Sequence, residues 1–237
     1  MALAIETLDP LRLRGALAVA RDGIDRHAAR AGRSGADVEI VLAGKYVAPA
    51  DAAILVEAGV EVCGENRLQD LVAKRAVVDD GLVFDFIGHL QRRKVRDLIG
   101  QVRLIHSVDS VELAQEIDRR SAGRVRVLVE VNVASEPTKH GIPPSLLPRF
   151  VEQVSSFPWI EVVGLMCMPP YVADPERSRP HFAALRLLGE DLSSEWSGRH
   201  AMTHLSMGTS QDFLVAVEEG ATIVRLGRGL LDQAKAG

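Results

Sequence analysis

Short runs rich in valine, isoleucine and leucine recur along the chain, and each is followed by a longer amphipathic segment. Strands that alternate with helices are joined by right-handed crossovers into a parallel sheet, so this alternation restricts the possible folds more than any other feature. The runs predict eight strands, at Val38–Ala43, Val60–Cys63, Val83–Ile87, Arg103–His106, Val125–Val131, Val162–Leu165, Thr203–Leu205 and Thr222–Leu226.

The amphipathic segments predict one helix before these strands and others between them. The first helix covers about residues 9–32, and Gly32 provides its stop signal. The others lie at Ala50–Glu57, Arg67–Val77, Arg92–Ile99, Ser110–Arg120, Pro144–Val154, Arg177–Leu188 and Ser210–Glu218.

Eight strand–helix units in 237 residues fit a closed (βα)8 barrel of the TIM type, a fold that takes about 250 residues. The alternative is an open, doubly wound sheet, which usually has fewer strands and often carries a GxGxxG turn after the first of them. Here the first predicted strand is followed by GKYVAP, without such a turn. We therefore expect one α/β domain over residues 1–237, with the barrel at about 38–231 and an extra N-terminal helix.

Composition excludes several classes of function. With 47% hydrophobic residues and a net charge of −4, the chain has neither the basic surface of a nucleic-acid-binding protein nor an apolar segment long enough to cross a membrane. Cys63 and Cys167 lie far apart and outside any CxxC pair, so we expect neither a disulfide framework nor a zinc site. The N-terminal residues lack the pattern of a secretion signal, and we expect a cytoplasmic protein.

Lys45 follows the first predicted strand directly. In a (βα)8 barrel, functional residues lie at the C-terminal ends of the strands. A lysine close to the barrel wall loses part of its hydration, which favours a neutral amine that can form a Schiff base with a carbonyl compound. From its position alone, an exposed lysine at the rim is an equally good interpretation.

The loops after the last two predicted strands carry the residues of a phosphate site. Residues 206–210, SMGTS, offer hydroxyl and N–H donors just before a helix, although Ser210 is equally suited to be the N-cap of that helix. Residues 225–228, RLGR, follow the eighth strand, and the glycine lets the backbone approach a phosphate closely. Arg225 is suited to bind an anion or a ring nitrogen, or to pair with a carboxylate.

Eight motifs, in this order, resemble those of the YggS-like family of pyridoxal phosphate homeostasis proteins. The barrel of that family is shared with the N-terminal domain of alanine racemase. The matching segments are LAGKYVAP, GVEVCGENRLQDL, FIGHLQRRKVR, IHSVDSVELAQEI, VLVEVNVASEPTKHGI, GLMCM, HLSMGTSQDF and GATIVRLGRGLL, within about residues 38–231.

The resemblance implies that the chain binds pyridoxal 5′-phosphate (PLP) as a Schiff base on Lys45 and that it holds no metal. The phosphate would be held by the SMGTS loop and the backbone after Arg225, and Arg225 itself would face the pyridine nitrogen. Asn66 and His89 also fit structural roles, as does His106. The residues implied to bind the cofactor are Lys45, Asn66, His89, Met166, Ser206, Gly208, Ser210, Arg225, Gly227 and Arg228.

Five positions depart from the family pattern, and two of them, Arg92 and Arg93, stand where a small polar pair is frequent. A serine usually precedes the family's lysine and a threonine follows it, where this chain has Gly44 and Tyr46. A hydroxyl residue commonly follows the RxG of the eighth strand, where this chain has Arg228. Arg228 therefore removes a hydroxyl from the expected phosphate site and adds a positive charge.

The resemblance implies intracellular PLP homeostasis or carriage with little or no turnover. Alanine racemase needs a second base, a tyrosine from a separate C-terminal domain, and this chain ends shortly after Arg225. Its two tyrosines, Tyr46 and Tyr171, are not evident second bases. The alternative is a single-domain racemase-like enzyme that uses His89 or His204. We expect a monomer whose partners are PLP and PLP-dependent apo-enzymes.

Overall fold

The structure, a computed structural model, describes residue 5 and residues 7–136, 140–196 and 200–235. Its strands are β1 (Glu39–Ala43), β2 (Val62–Glu65), β3 (Val83–Phe86), β4 (Leu104–Val108), β5 (Val125–Glu130), β6 (Ile160–Met166), β7 (His204–Thr209) and β8 (Ile223–Leu226). They are parallel and pair in chain order, and β1 also pairs with β8, which closes the barrel. The predicted (βα)8 barrel is confirmed.

Helices surround the barrel, and the predicted N-terminal helix is present. They are α1 (Pro10–Arg30), α2 (Ala52–Glu57), α3 (Leu68–Val78), α4 (Val95–Leu98), α5 (Val111–Arg120), α6 (Leu147–Val154), α7 (Arg179–Glu195), α8 (Phe213–Glu218) and α9 (Arg228–Leu231). Among the described residues, no helix combines the length and apolarity that crossing a membrane requires.

Helix α1 fills the gap that the short α9 leaves in the outer ring. Asp9 caps its N-terminus by accepting a hydrogen bond from the N–H of Arg12 at 2.9 Å, and Pro10 stands at its first position. Leu13 and Ile24 lie on its fully buried face, and the helix contacts α2, α8 and α9. Burial of each such side chain contributes about 1.5–3 kcal/mol.

Three strands extend at least two residues further toward their C-terminal ends than the sequence predicts. The predicted ends of β2, β4 and β7 were Cys63, His106 and Leu205, whereas the strands end at Glu65, Val108 and Thr209. The sequence predicts loops there because polar residues occur at these ends. Three of those polar residues, Glu65, Ser107 and Ser206, are buried in the strands, and each has a hydrogen-bond partner elsewhere in the chain.

One such partner is Lys74 of α3, whose Nζ lies 2.6 Å from Oε1 of Glu65. Both side chains are buried, with 1% and 0% exposed. Burial raises the pKa of Glu65 although Lys74 opposes the shift. A Cβ at residue 44 would collide with Glu65 and Cys63, so glycine before Lys45 makes room for this pair.

We expect Lys74→Met to lower the free energy of unfolding by about 3–5 kcal/mol, because it leaves the Glu65 carboxylate buried without its counter-ion. Urea unfolding followed by circular dichroism at pH 7.5 measures this. The double variant Glu65→Met/Lys74→Met should recover most of the loss, since no buried charge remains. Equal losses in the single and double variants would contradict the assignment.

Candidate functional site

Lys45 lies at the C-terminal mouth of the barrel, the end at which the strands lead into their helices. A single 3-10 turn, Gly44–Tyr46, follows β1 and carries the lysine beyond the wall. Its side chain is exposed, with Nζ 4.9 Å from the centre of the Tyr46 ring. The desolvation expected from the sequence is therefore absent, because the strand ends before Lys45 and the turn directs it to the open mouth.

Two of the departures from the family pattern meet at this point. The Tyr46 ring lies against Gly227, where an added Cβ would come within 3.1 Å of it, and the Arg228 guanidinium lies 5.2 Å from the ring centre. Tyr46 therefore contacts both Lys45 and Arg228 by cation–π interactions. The tyrosine brings two positive side chains to the same part of the mouth.

The loops after β7 and β8 are joined by a side-chain hydrogen bond. The hydroxyl oxygen of Ser210 accepts from the N–H of Gly227 at 3.0 Å. Ser210 is not the N-cap of α8, because the helix begins at Phe213 and Asp212 occupies the preceding position. Asp212 instead closes the loop after β7 by accepting from the N–H of Thr209 at 2.7 Å.

Gly208 gives this loop a shape that other residues would strain. Its φ is +89°, and an added Cβ would meet Ala216 and, at 2.9 Å, the Cα of Phe213. At the next loop, the first N–H groups of α9 have no acceptor within their own helix. Together the two loops place N–H and hydroxyl donors beside Arg228.

Arg225 of β8 is buried in the barrel interior and hydrogen-bonds only neutral acceptors. Its Nη1 donates to the carbonyl of Ser206 at 2.8 Å and to the Ser206 hydroxyl at 2.5 Å, and its Nη2 donates to the carbonyl of Cys167 at 2.9 Å. No carboxylate in the described ranges forms an ion pair with it, and burial lowers its pKa. The structural ion pair that the sequence left open is therefore absent.

A buried hydrogen-bond chain continues from Ser206 to β3. His106 Nδ1 lies 3.0 Å from the Ser206 hydroxyl, and its Nε2 lies 3.1 Å from Asp85 Oδ2. Arg225 can only donate, so the Ser206 oxygen accepts from it. The Ser206 hydroxyl then donates a hydrogen bond to Nδ1 of His106. Every donor then has an acceptor if His106 is neutral and protonated on Nε2. This agrees with the pKa of His106, which burial lowers although the neighbouring Asp85 opposes the shift.

The other end of the chain is anchored by a charged pair near the N-terminal end of the barrel. Arg103 donates to both oxygens of Asp85, at 3.0 and 2.7 Å, and also binds Glu39. Burial alone would raise the pKa of Asp85, but hydrogen bonds from His106 and Arg103 outweigh it and hold the pKa below its ordinary value. Asp85 is therefore a carboxylate that fixes the proton of His106 on Nε2.

The remaining predicted residues lie in several different places. Asn66 follows β2 and is not a helix cap, and its buried side-chain oxygen has no hydrogen-bond partner within the described ranges. Met166 ends β6 in the interior cluster, and His89 follows β3 at the mouth. His204 lines a cavity of about 820 Å³ near the start of the strands, with Arg126 at 2.9 Å, so it lies at the opposite end from Lys45.

Sequence reasoning missed Asp85 as part of the site and assigned His106 no role there. The available signal was a carboxylate in the middle of the apolar strand VFDF, where an unpaired charge would be costly. The phosphate role predicted for Ser206 stays a prediction, and in this structure its hydroxyl serves Arg225 and His106.

Comparison with known proteins agrees with this architecture. Residues 29–232 match the family described as alanine racemase, N-terminal domain. The pyridoxal phosphate homeostasis protein of Aquifex aeolicus (strain VF5) is 43% identical over 216 residues, which cover 90% of this chain and 94% of that protein. The chain belongs to the pyridoxal phosphate homeostasis protein family.

Two solved structures support the same conclusion. An unknown protein from Bifidobacterium adolescentis is 30% identical, with a TM-score of 0.84 and coverage of 97% of this chain and 100% of that chain. PipY of Synechococcus elongatus PCC7942, solved with PLP bound, is 28% identical, with a TM-score of 0.80 and coverage of 92% and 99%. The match to PipY therefore spans nearly its whole chain.

The buried His106 makes a pH dependence testable. The pKa of His106 in the folded protein lies below its unfolded value of about 6.5. As the pH falls below about 6.5, the unfolded chain therefore binds a proton before the folded protein does, and the free energy of unfolding decreases. The urea midpoint should fall less between pH 7.5 and 5.5 for His106→Gln than for the unmodified chain. Expressed as free energies of unfolding, the pH-dependent losses of the two proteins should differ by no more than about 1.4 kcal/mol per pH unit.

The same comparison removes the other groups that titrate in this range. The pKa shifts of Glu65 and Glu130 do not involve His106, so these groups cancel in the difference. The hydrogen bond from His106 helps to hold down the pKa of Asp85, and glutamine is chosen because its side-chain N–H can donate to Asp85 in place of the imidazole. Identical pH profiles for the two proteins would refute a neutral, buried His106.

Proposed function

We propose that this chain binds PLP at the C-terminal mouth, as a Schiff base on Lys45, and serves PLP homeostasis with little or no turnover. Membership of the family supports this, as does the PLP-bound structure of PipY. The observation that carries it is Arg225, a buried guanidinium that is held in place without a negative partner. Burial of a guanidinium without an ion-pair partner in contact is costly, and a ligand acceptor would lower that cost.

The residues present at the mouth fit the chemical groups of PLP. A phosphate needs concentrated N–H and hydroxyl donors, and the two loops joined by Ser210 and Gly227 provide them. Gly208 lets one of these loops pack closely against α8, and Arg228 adds positive charge. The unsatisfied side-chain oxygen of Asn66 marks a buried position where a polar ligand group would complete the hydrogen bonding.

When bound, PLP supplies an aldehyde that condenses with a primary amine and a pyridine ring that withdraws electrons. Lys45 provides the amine at the open mouth. Arg225 donates and cannot accept, so a ring nitrogen facing it stays without a proton, which weakens the ring as an electron sink. His106 and Ser206 hold the guanidinium in place.

The positions of possible second bases support carriage over racemisation. Tyr46 lies between Lys45 and Arg228, and Tyr171 is 82% exposed. His204 lies near the opposite end of the barrel. An exposed Lys45 at an open mouth would allow PLP to pass to apo-enzymes. We propose that a monomer does this in the cytoplasm, which the unpaired, buried cysteines Cys63 and Cys167 support.

Lys45→Ala should abolish the covalent adduct because the reacting amine is lost. The unmodified protein should develop a visible absorption band with added PLP, and borohydride followed by peptide mass spectrometry should locate the reduced adduct on Lys45. Lys235→Ala, which removes another exposed lysine, should retain both signals.

Persistence of the band and adduct in Lys45→Ala would overturn the assignment of the lysine. The alternative, racemase-like function makes a different prediction, since racemisation exchanges the Cα proton. If deuterium from solvent appeared at Cα of an amino acid at a useful rate, and only when Lys45 is present, the chain would be a catalyst and not a carrier.

A further inference from the structure

Three side chains with metal-ligating atoms meet at the mouth on the side away from Lys45. His89 follows β3, Asp109 follows β4 and His140 follows β5, whereas Lys45 and the phosphate-type loops follow β1, β7 and β8. The ligand atoms of the three residues all lie within 4.8 Å of one another. None of these atoms takes part in the chain from Asp85 to Arg225.

The distances between these atoms suit a shared ion better than direct hydrogen bonds. Asp109 Oδ2 lies 3.5 Å from His89 Nδ1 and 3.7 Å from His140 Nδ1. Good N–H···O hydrogen bonds measure about 2.7–3.2 Å. Ligands placed at about 2.0–2.1 Å around tetrahedral zinc lie roughly 3.4 Å apart. The two distances to Asp109 are therefore close to the edges of such a site.

The backbone on either side of these residues is held in place. The Ser107 hydroxyl donates to the carbonyl of Gly88 at 2.5 Å, which ties the residue before His89 to the strand that leads to Asp109. The N–H of Ile142 donates to Glu130 at 2.7 Å and its carbonyl accepts from Asn132 at 3.0 Å, so the chain just after His140 is fastened to β5. The fold therefore sets the three Cα positions.

The side chains can still adjust to an ion. The two imidazole rings stack with their centres 4.0 Å apart, and the His89 and His140 side chains are 44% and 60% exposed. The proposed site requires each exposed ring to turn about its last side-chain torsion until a nitrogen faces the ion beside Asp109. Asp109 is only 12% exposed and provides the fixed point. Glu130 lines a cavity of about 280 Å³ with His140 on this side of the mouth.

We propose that His89, Asp109 and His140 form a binding site for a divalent first-row transition metal such as Zn²⁺. Two imidazoles and one carboxylate are ligands that these ions accept, and a hard cation such as Mg²⁺ would be bound less well. Exposure of the imidazoles leaves the remaining coordination positions to water or to a small ligand at the mouth. The proposal does not depend on PLP binding.

Zinc titration of the untagged, full-length protein tests it. The protein is stripped with EDTA, desalted and titrated with ZnCl₂ by calorimetry at pH 7.5, and X-ray absorption identifies the bound ligands. We expect one Zn²⁺ per chain with two imidazole ligands. His140→Gln and Asp109→Asn should each weaken binding at least about tenfold. His181→Gln, which changes a histidine of α7, should leave it unchanged.

Circular dichroism is used to check that each variant is folded. If Asp109→Asn does not fold, the test rests on the His140→Gln variant, because the His140 side chain is exposed. Absence of stoichiometric binding by the unmodified protein would overturn the proposal. So would equal affinities for the His140→Gln and His181→Gln variants, since the ion would then lie elsewhere. Mg²⁺ binding as tight as that of Zn²⁺ would show that the carboxylates alone attract cations and would overturn the imidazole site.

Discussion

The arrangement of the mouth depends on the hydrogen bonds that run from Asp85 through His106 and Ser206 to Arg225. All four side chains are buried, and there an unsatisfied donor or acceptor costs about 1–3 kcal/mol. Asp85 accepts a hydrogen bond from the Nε2–H of His106, which leaves Nδ1 to accept from Ser206 and the Ser206 oxygen to accept from Arg225. The chain thus holds the guanidinium in place without neutralising it.

The charges are compensated differently along the barrel. Near the start of the strands, Arg103 pairs with Asp85 and Glu39, so groups of opposite charge lie in direct contact. At the mouth, Arg225 contacts only carbonyl and hydroxyl oxygens, while Lys45 and Arg228 lie against Tyr46. The mouth can therefore attract an anionic ligand such as a phosphorylated aldehyde. His89, Asp109 and His140, on its other side, offer neutral and negative donors to a cation.

The sequence predicts the barrel and the loops of the mouth because both follow from local patterns along the chain. It does not predict which inward-facing polar residues meet. His106 and Ser206 are 100 residues apart, and their contact depends on the strand order and register. Ser210 illustrates the same limit, since its partner Gly227 belongs to another loop and the local pattern suited a helix cap and a phosphate ligand equally. Strand β2 extends to Glu65 because Lys74 of α3 compensates its charge.

The most direct test of this account is the protonation state of His106, read from ¹⁵N chemical shifts of histidine-labelled protein, with His106→Gln to assign the signals. A neutral ring protonated on Nε2 at pH 7.5 is the predicted result, with Nδ1 shifted as an acceptor. A protonated imidazolium, or a proton on Nδ1, would contradict it, because Ser206 could then no longer donate to His106 while accepting from Arg225.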